Sequence, residues 1–190
     1  MTIEGSPWKL FERRLADWMR GFERPALAFR AGWSAIPGFP SDGFRADGLL
    51  TNSRTLLALE VEVKQTHPDT NVGKYWLLTE HQQYERLVLF HVYTPAFNSY
   101  GWRKTLGEFY AKRMAREAPF EYVLLDLRST TDHTAAYSKV IETMEPRIRS
   151  EFAAELAGGP EQAVASTIGL NGAQDALPHD PPRSSIDRHS

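Results

Sequence analysis

The sequence predicts an α/β fold, a central mixed β-sheet flanked by helices, and three observations predict it. Residues 55–65 alternate apolar and charged side chains with a period of two, as a strand with one apolar face does. Residues 87–93 form an almost wholly apolar run, the mark of a strand buried on both faces. Segments with apolar residues three and four apart lie before, between and after these strands and read as helices.

Taken in order, the first helix opens with Ser6 as a candidate N-cap and Pro7 at the first helical position, where its missing N–H costs nothing. Trp8, Phe11, Leu15, Trp18 and Phe22 then make a buried stripe, and Gly21 and Pro25 close the helix. Three strands are expected at 26–30, 43–50 and 55–65, with Asn52 and Ser53 turning a hairpin between the last two. In the third, Leu57, Leu59, Val61 and Val63 alternate with Ala58, Glu60, Glu62 and Lys64. A helix over 71–84, the strand at 87–93, a helix over 100–117 and a strand at 122–127 follow.

A last helix over 133–156 carries Tyr137, Val140, Ile141, Met144 and Ile148 on one stripe, with Pro146 placed to kink or divide it. That stripe needs a partner, either the sheet or a second copy of the chain, so a homodimer is a candidate assembly. The element order is thus α-β-β-β-α-β, then α-β-α. One domain over 1–157 is expected, and 158–190, rich in Gly, Ala, Pro and Ser, reads as a flexible, disordered tail.

Composition narrows the function classes. The chain of 190 residues is 42 % hydrophobic and 24 % charged, as a globular domain is. It has no cysteine, which excludes disulfides, thiolate zinc sites and a cysteine nucleophile; any metal is held by oxygen or histidine. No run approaches the roughly 18 apolar residues of a membrane span, and the N-terminus has no apolar signal core, so no membrane partner and a cytoplasmic location are expected. The net charge of −2 conceals a bias, because the first 150 residues hold 20 basic and 18 acidic side chains. No glycine-rich phosphate loop, GxSxG elbow or HxxxH pair occurs, which argues against P-loop enzymes, serine hydrolases and helical zinc sites.

The residues that carry chemistry cluster on the predicted hairpin. Asp47 sits in the middle of the second strand, and Glu62 and Lys64 share a face of the third, so strand pairing brings the three together. Carboxylate oxygens hold a hard cation that activates water and offsets charge on a phosphoryl transition state, while an amine orients or deprotonates that water. Glu60 lies on the same face and is the reserve ligand. Asn71 and Lys74 open the next helix, either to contact a substrate phosphate or as ordinary capping residues. Arg103, Lys104, Lys112, Arg113 and Arg116 gather on one helix, as a backbone-binding face or as a solvated surface. His91, inside an apolar strand, reads as a hydrogen-bonded core histidine.

The segment Ala46-Asp47-Gly48, followed by Glu62-Val63-Lys64, resembles the PD-(D/E)XK motif of the restriction-endonuclease-like nucleases over about the first 95 residues. The resemblance implies a restriction-endonuclease-like core whose order, α-β-β-β-α-β, matches the one read above. It implies a metal-dependent endonuclease, a phosphodiester hydrolase of restriction, repair or mobile-element type. Asp47 and Glu62 would bind Mg²⁺, with Mn²⁺ able to substitute, and Lys64 would serve the water. Glu12 matches an acidic residue that some members contribute from the first helix. The implied partner is DNA, with RNA as the other candidate polynucleotide. The alternative is a catalytically inactive module of this fold that binds nucleic acid or protein. Ala46 stands where the motif has proline, a position that is not a ligand.

Overall fold

A computed structural model describes residues 6–31, 45–64, 67–80, 84–98 and 101–157; the tail expected at 158–190 and the strand start expected at 43 and 44 lie outside them. Among the described residues ten elements follow one another: α1 (Pro7–Arg20), β1 (Ala28–Arg30), β2 (Gly48–Thr51), β3 (Thr55–Glu62), α2 (Pro68–Glu80), β4 (Arg86–Tyr93), α3 (Arg103–Glu117), β5 (Phe120–Asp126), α4 (His133–Glu151) and α5 (Ala153–Ala157). The five strands form one mixed sheet in the order β1-β2-β3-β4-β5. The first three pair antiparallel, and β3, β4 and β5 pair parallel. Parallel neighbours need crossover connections, which α2 and α3 supply.

The period-two pattern of β3 divides the core. Leu57, Leu59 and Val61 join Trp8, Phe11, Leu15 and Met19 of α1 and Val140, Met144 and Ile148 of α4 on one face. Leu56 and Ala58 join Val72, Tyr75 and Leu78 of α2 and Ala111 and Met114 of α3 on the other. The central strand is therefore buried at every position, with helices over both faces. One glycine permits close approach: a Cβ on Gly48 would stand 2.7 Å from Met19 Sδ, so its absence lets α1 rest on β2.

Several boundaries differ from expectation, for physical reasons. The second strand begins at Gly48, so Asp47 precedes it instead of lying within it, and β3 ends at Glu62. Helix α2 starts at Pro68, so Asn71 lies inside its first turn and does not cap it. Ser6 has the extended backbone of an N-cap, but its side chain makes no capping hydrogen bond. Helix α4 runs through Pro146, which is exposed, and the break comes at Phe152. The proline has no N–H for the Glu142 carbonyl one turn before it, a loss that does not break the helix. The buried positions of α4 are Ala136, Val140, Met144 and Ile148, with Tyr137 and Ile141 half-buried beside them. The sheet and α1 cover this stripe.

Candidate functional site

The ladder between β2 and β3 pairs Gly48 with Leu59, and one further step sets Asp47 opposite Glu60. No strand carbonyl is available there for the next N–H of β3. Asp47 takes its place, with Oδ2 accepting from the Val61 N–H at 2.7 Å. A carboxylate thus stands at the C-terminal end of β3 because β2 begins only at Gly48, one residue after Asp47. Glu12, on α1, is near enough for its charge to repel that of Asp47, and Lys9 bonds it at 2.5 Å.

Glu60 and Glu62 point into the layer between β3 and α2 and are only 3 % and 1 % exposed, so solvent satisfies neither. Helix α2 supplies partners at positions 71, 74 and 75, which three-and-four spacing places on one face. Lys74 Nζ donates to Glu60 Oε1 at 2.6 Å, to the Arg45 carbonyl at 2.6 Å and to Asn71 Oδ1 at 3.2 Å. An ammonium has three donors, so Lys74 is fully engaged. The Tyr75 hydroxyl donates to the same Glu60 oxygen at 2.5 Å.

Glu62 is held differently. Its Oε1 accepts from Asn71 Nδ2 at 2.8 Å and meets His91 Nε2 at 2.7 Å, while its Oε2 is buried without a hydrogen-bond partner. The second ring nitrogen of His91 lies 3.0 Å from the Tyr122 hydroxyl, so a Nε2–H tautomer donates to Glu62 and accepts from tyrosine. The network therefore crosses from β3 through β4 to β5 inside the layer covered by α2 and α3. Lys64, beyond the end of β3, is exposed and makes no hydrogen bond or ion pair among the described residues.

Crowding of acids controls their protonation. Burial pushes the Glu60 carboxyl up to about 8, opposed by Lys74 and reinforced by Asp47. Burial, and then Asp47, push Glu12 up to about 7. Asp47 is raised by burial, against the Val61 N–H and Lys74, with Glu62 raising it further. The folded chain thus keeps protons on Glu60 and Glu12 in a window, from 4.5 to about 8 and about 7, where the unfolded chain loses them. Because the folded state binds more protons there, stability falls as pH rises through the window. Each group contributes a slope of up to about 1.4 kcal/mol per pH unit. Thermal melts should therefore give a higher midpoint near pH 5 than near pH 8, and Glu60→Gln should remove the larger part of the difference. A midpoint that instead rises steadily across the window would exclude protonated buried acids.

The expected residues are thus brought together in part. Glu60, Lys74, Asn71 and Glu62 are joined by hydrogen bonds at the end of β3, Asp47 lies within electrostatic reach of Lys74 and Glu62, Glu12 adjoins Asp47, and Lys64 stands outside the network. Asn71 and Lys74 turn their polar ends to the glutamates. His91 is a core histidine, as its apolar surroundings indicate, but its bond to Glu62 and its link to Tyr122 were missed. Parallel pairing sets it beside Glu60 across two strands distant in sequence, and no local pattern signals this. Among the described residues no three histidine, aspartate or glutamate side chains stand together as they would around a bound metal ion. Among them, too, no helix is long and apolar enough to cross a membrane. No family model, curated protein or solved structure matches the chain.

Proposed function

We propose that the chain is a metal-dependent nuclease, hydrolysing phosphodiester bonds in DNA, with Asp47 and Glu62 as the metal-binding carboxylates. The observation that carries this reading is a crowding of carboxyl groups that burial and mutual repulsion make hard to ionise. Glu12, Asp47, Glu60 and Glu62 converge from α1, the start of β2 and β3, yet only Glu60 holds the buried lysine. Such crowding costs stability, and the cost is recovered when a cation binds.

The donor chemistry fits a hard cation such as Mg²⁺ or Mn²⁺. All the acids offer oxygen, Glu62 Oε2 has no partner, and Asp47 Oδ1 accepts no hydrogen bond among the described residues. Glu60 is a poorer ligand than Glu62, because the Lys74 ammonium bonded to it would repel a cation and burial pushes its carboxyl up to about 8. Lys74 has no donor left for water, whereas Lys64 has no partner among the described residues, so the reading keeps Lys64 for the water and gives Lys74 the neutralisation of Glu60. A bound cation would activate water and offset charge on the phosphoryl group. Restriction-endonuclease-like architecture belongs to this proposal, supported by the strand order and by the place of Asp47 and Glu62 within it.

One observation favours a second reading, a non-catalytic binding module: Glu60, Lys74, Tyr75 and Asn71 satisfy one another without any ion. Calorimetric titration with Mn²⁺ separates the two. The nuclease reading expects saturable binding that Glu62→Gln weakens by at least about tenfold and Glu60→Gln by less. Absence of saturable binding, or an equal affinity in Glu62→Gln, would favour the module.

A further inference from the structure

Helix α3 carries a net positive charge. Between Arg103 and Glu117, α3 carries five cations, Arg103, Lys104, Lys112, Arg113 and Arg116, against two acids, Glu108 and Glu117. The acids are spent locally, Glu108 on Lys104 at 2.5 Å and Glu117 on Arg113. Lys112 and Arg116 are exposed and have no ion pair among the described residues.

The same helix exposes two aromatic rings. Trp102, at its start, is 63 % exposed and Phe109 is 59 % exposed. Lone exposed apolar side chains are ordinary on protein surfaces. These two are not randomly placed: Trp102, Thr105, Phe109, Lys112, Arg113 and Arg116 are all exposed and fall at three-, four- and seven-residue spacing. They make a single outward stripe opposite the buried Gly107, Ala111 and Met114, about 21 Å long at the rise of an α-helix. The Arg103 guanidinium lies 5.3 Å from the centre of the Trp102 ring and also bonds Asp69 at 2.8 Å. It therefore ties the aromatic end of the stripe to the first turn of α2, two residues from Asn71, the partner of Glu62.

We infer that this stripe binds single-stranded nucleic acid, its bases stacking on Trp102 and Phe109 and its phosphates meeting Lys112, Arg113 and Arg116. Stacking distinguishes a single strand from a duplex, because paired bases offer no free face to a protruding ring. Rings at one end of the stripe and cations at the other suit a polymer that carries both bases and phosphates. Because the aromatic end adjoins the start of α2, a strand lying along α3 is led toward Asp47 and Glu62. The inference deepens the nuclease reading by naming its substrate class, but binding itself needs no metal and is tested apart from cleavage.

The test is fluorescence anisotropy with a labelled oligothymidylate and a duplex of equal length, in EDTA so that no cleavage intervenes. Wild-type protein should prefer the single strand. Trp102→Ala with Phe109→Ala should weaken single-strand binding by at least about tenfold and leave the melting temperature unchanged, since both rings are exposed. Lys112→Gln with Arg116→Gln should reduce the slope of log affinity against log salt by about 1.4. Unchanged single-strand affinity without the two rings overturns the inference, as does equal binding of the duplex. So does a wild-type dimer that the ring variants dissociate, which would assign the stripe to a second copy. Metal-dependent cleavage that survives loss of the rings at saturating substrate would leave the nuclease reading intact, and strand binding without any cleavage would sink that reading alone.

Discussion

Asp47→Asn should abolish cleavage, lowering the rate by roughly a thousandfold or more, while leaving the protein folded. The substitution separates two roles of one side chain. An amide oxygen can still accept the Val61 N–H that Asp47 Oδ2 holds at 2.7 Å, so the join between β2 and β3 survives. The negative charge needed by a cation does not. Removing it also relieves Glu12, whose carboxyl Asp47 helps to raise to about 7, so that group should titrate closer to 4.5. Asp47→Ala should lose both roles and melt lower than Asp47→Asn. Cleavage measured under single-turnover conditions, beside thermal melts of both variants, checks the pair; an active Asp47→Asn would remove Asp47 from the centre.

Lys74→Met should have the largest effect on stability. It removes the cation bonded to Glu60 at 2.6 Å and leaves a carboxylate buried beneath α2 with Tyr75 as its remaining partner. Breaking a buried pair in this way costs about 3–5 kcal/mol when the abandoned group is charged. The sign of the pH dependence follows from Glu60, which is already raised to about 8 with Lys74 present. Without the lysine it rises further, so in the folded variant Glu60 stays protonated to higher pH. The extra loss should be full at alkaline pH and fade toward pH 6, where Glu60 holds its proton in either protein. Adding Glu60→Gln to Lys74→Met should restore most of the loss, because neither charge is then buried. Lys64→Ala, at an exposed and unpaired position, should leave stability unchanged and slow the chemical step. Urea unfolding across pH reads each of these, and a Lys74→Met protein as stable as wild type at alkaline pH would mean that the lysine does not neutralise Glu60.

Much of this arrangement was legible in the sequence, and the parts that were not share a cause. The stripe of α1, the alternation of β3 and the apolar run of β4 are local periodicities, and each produced the expected element. The limit of β2 is not periodic. It depends on a side chain replacing a strand carbonyl, which places Asp47 at the edge of the strand instead of within it. Alternation alone puts Lys64 on the face of Glu62, but β3 ends at Glu62 and Lys64 turns out to solvent. The inward face of α2 contains Asp69 and Lys74 as well as Val72, Tyr75 and Leu78, so its amphipathic pattern is weak. Its polar residues face inward because they answer the glutamates of β3, a match between two segments that neither displays separately. In α4 the expected Val140, Met144 and Ile148 are buried, while Tyr137 and Ile141 are only half-buried and Ala136, too small to mark a stripe in the sequence, is buried at its start.

Cleavage by purified wild-type protein of single-stranded DNA, plasmid and RNA, each with and without added Mg²⁺ or Mn²⁺, tests the central claim most directly. The account predicts phosphodiester hydrolysis that requires the ion, is fastest on single-stranded DNA and disappears in Asp47→Asn and Glu62→Gln. Intact polynucleotides at every metal concentration, or cleavage that persists undiminished in both variants, would contradict it.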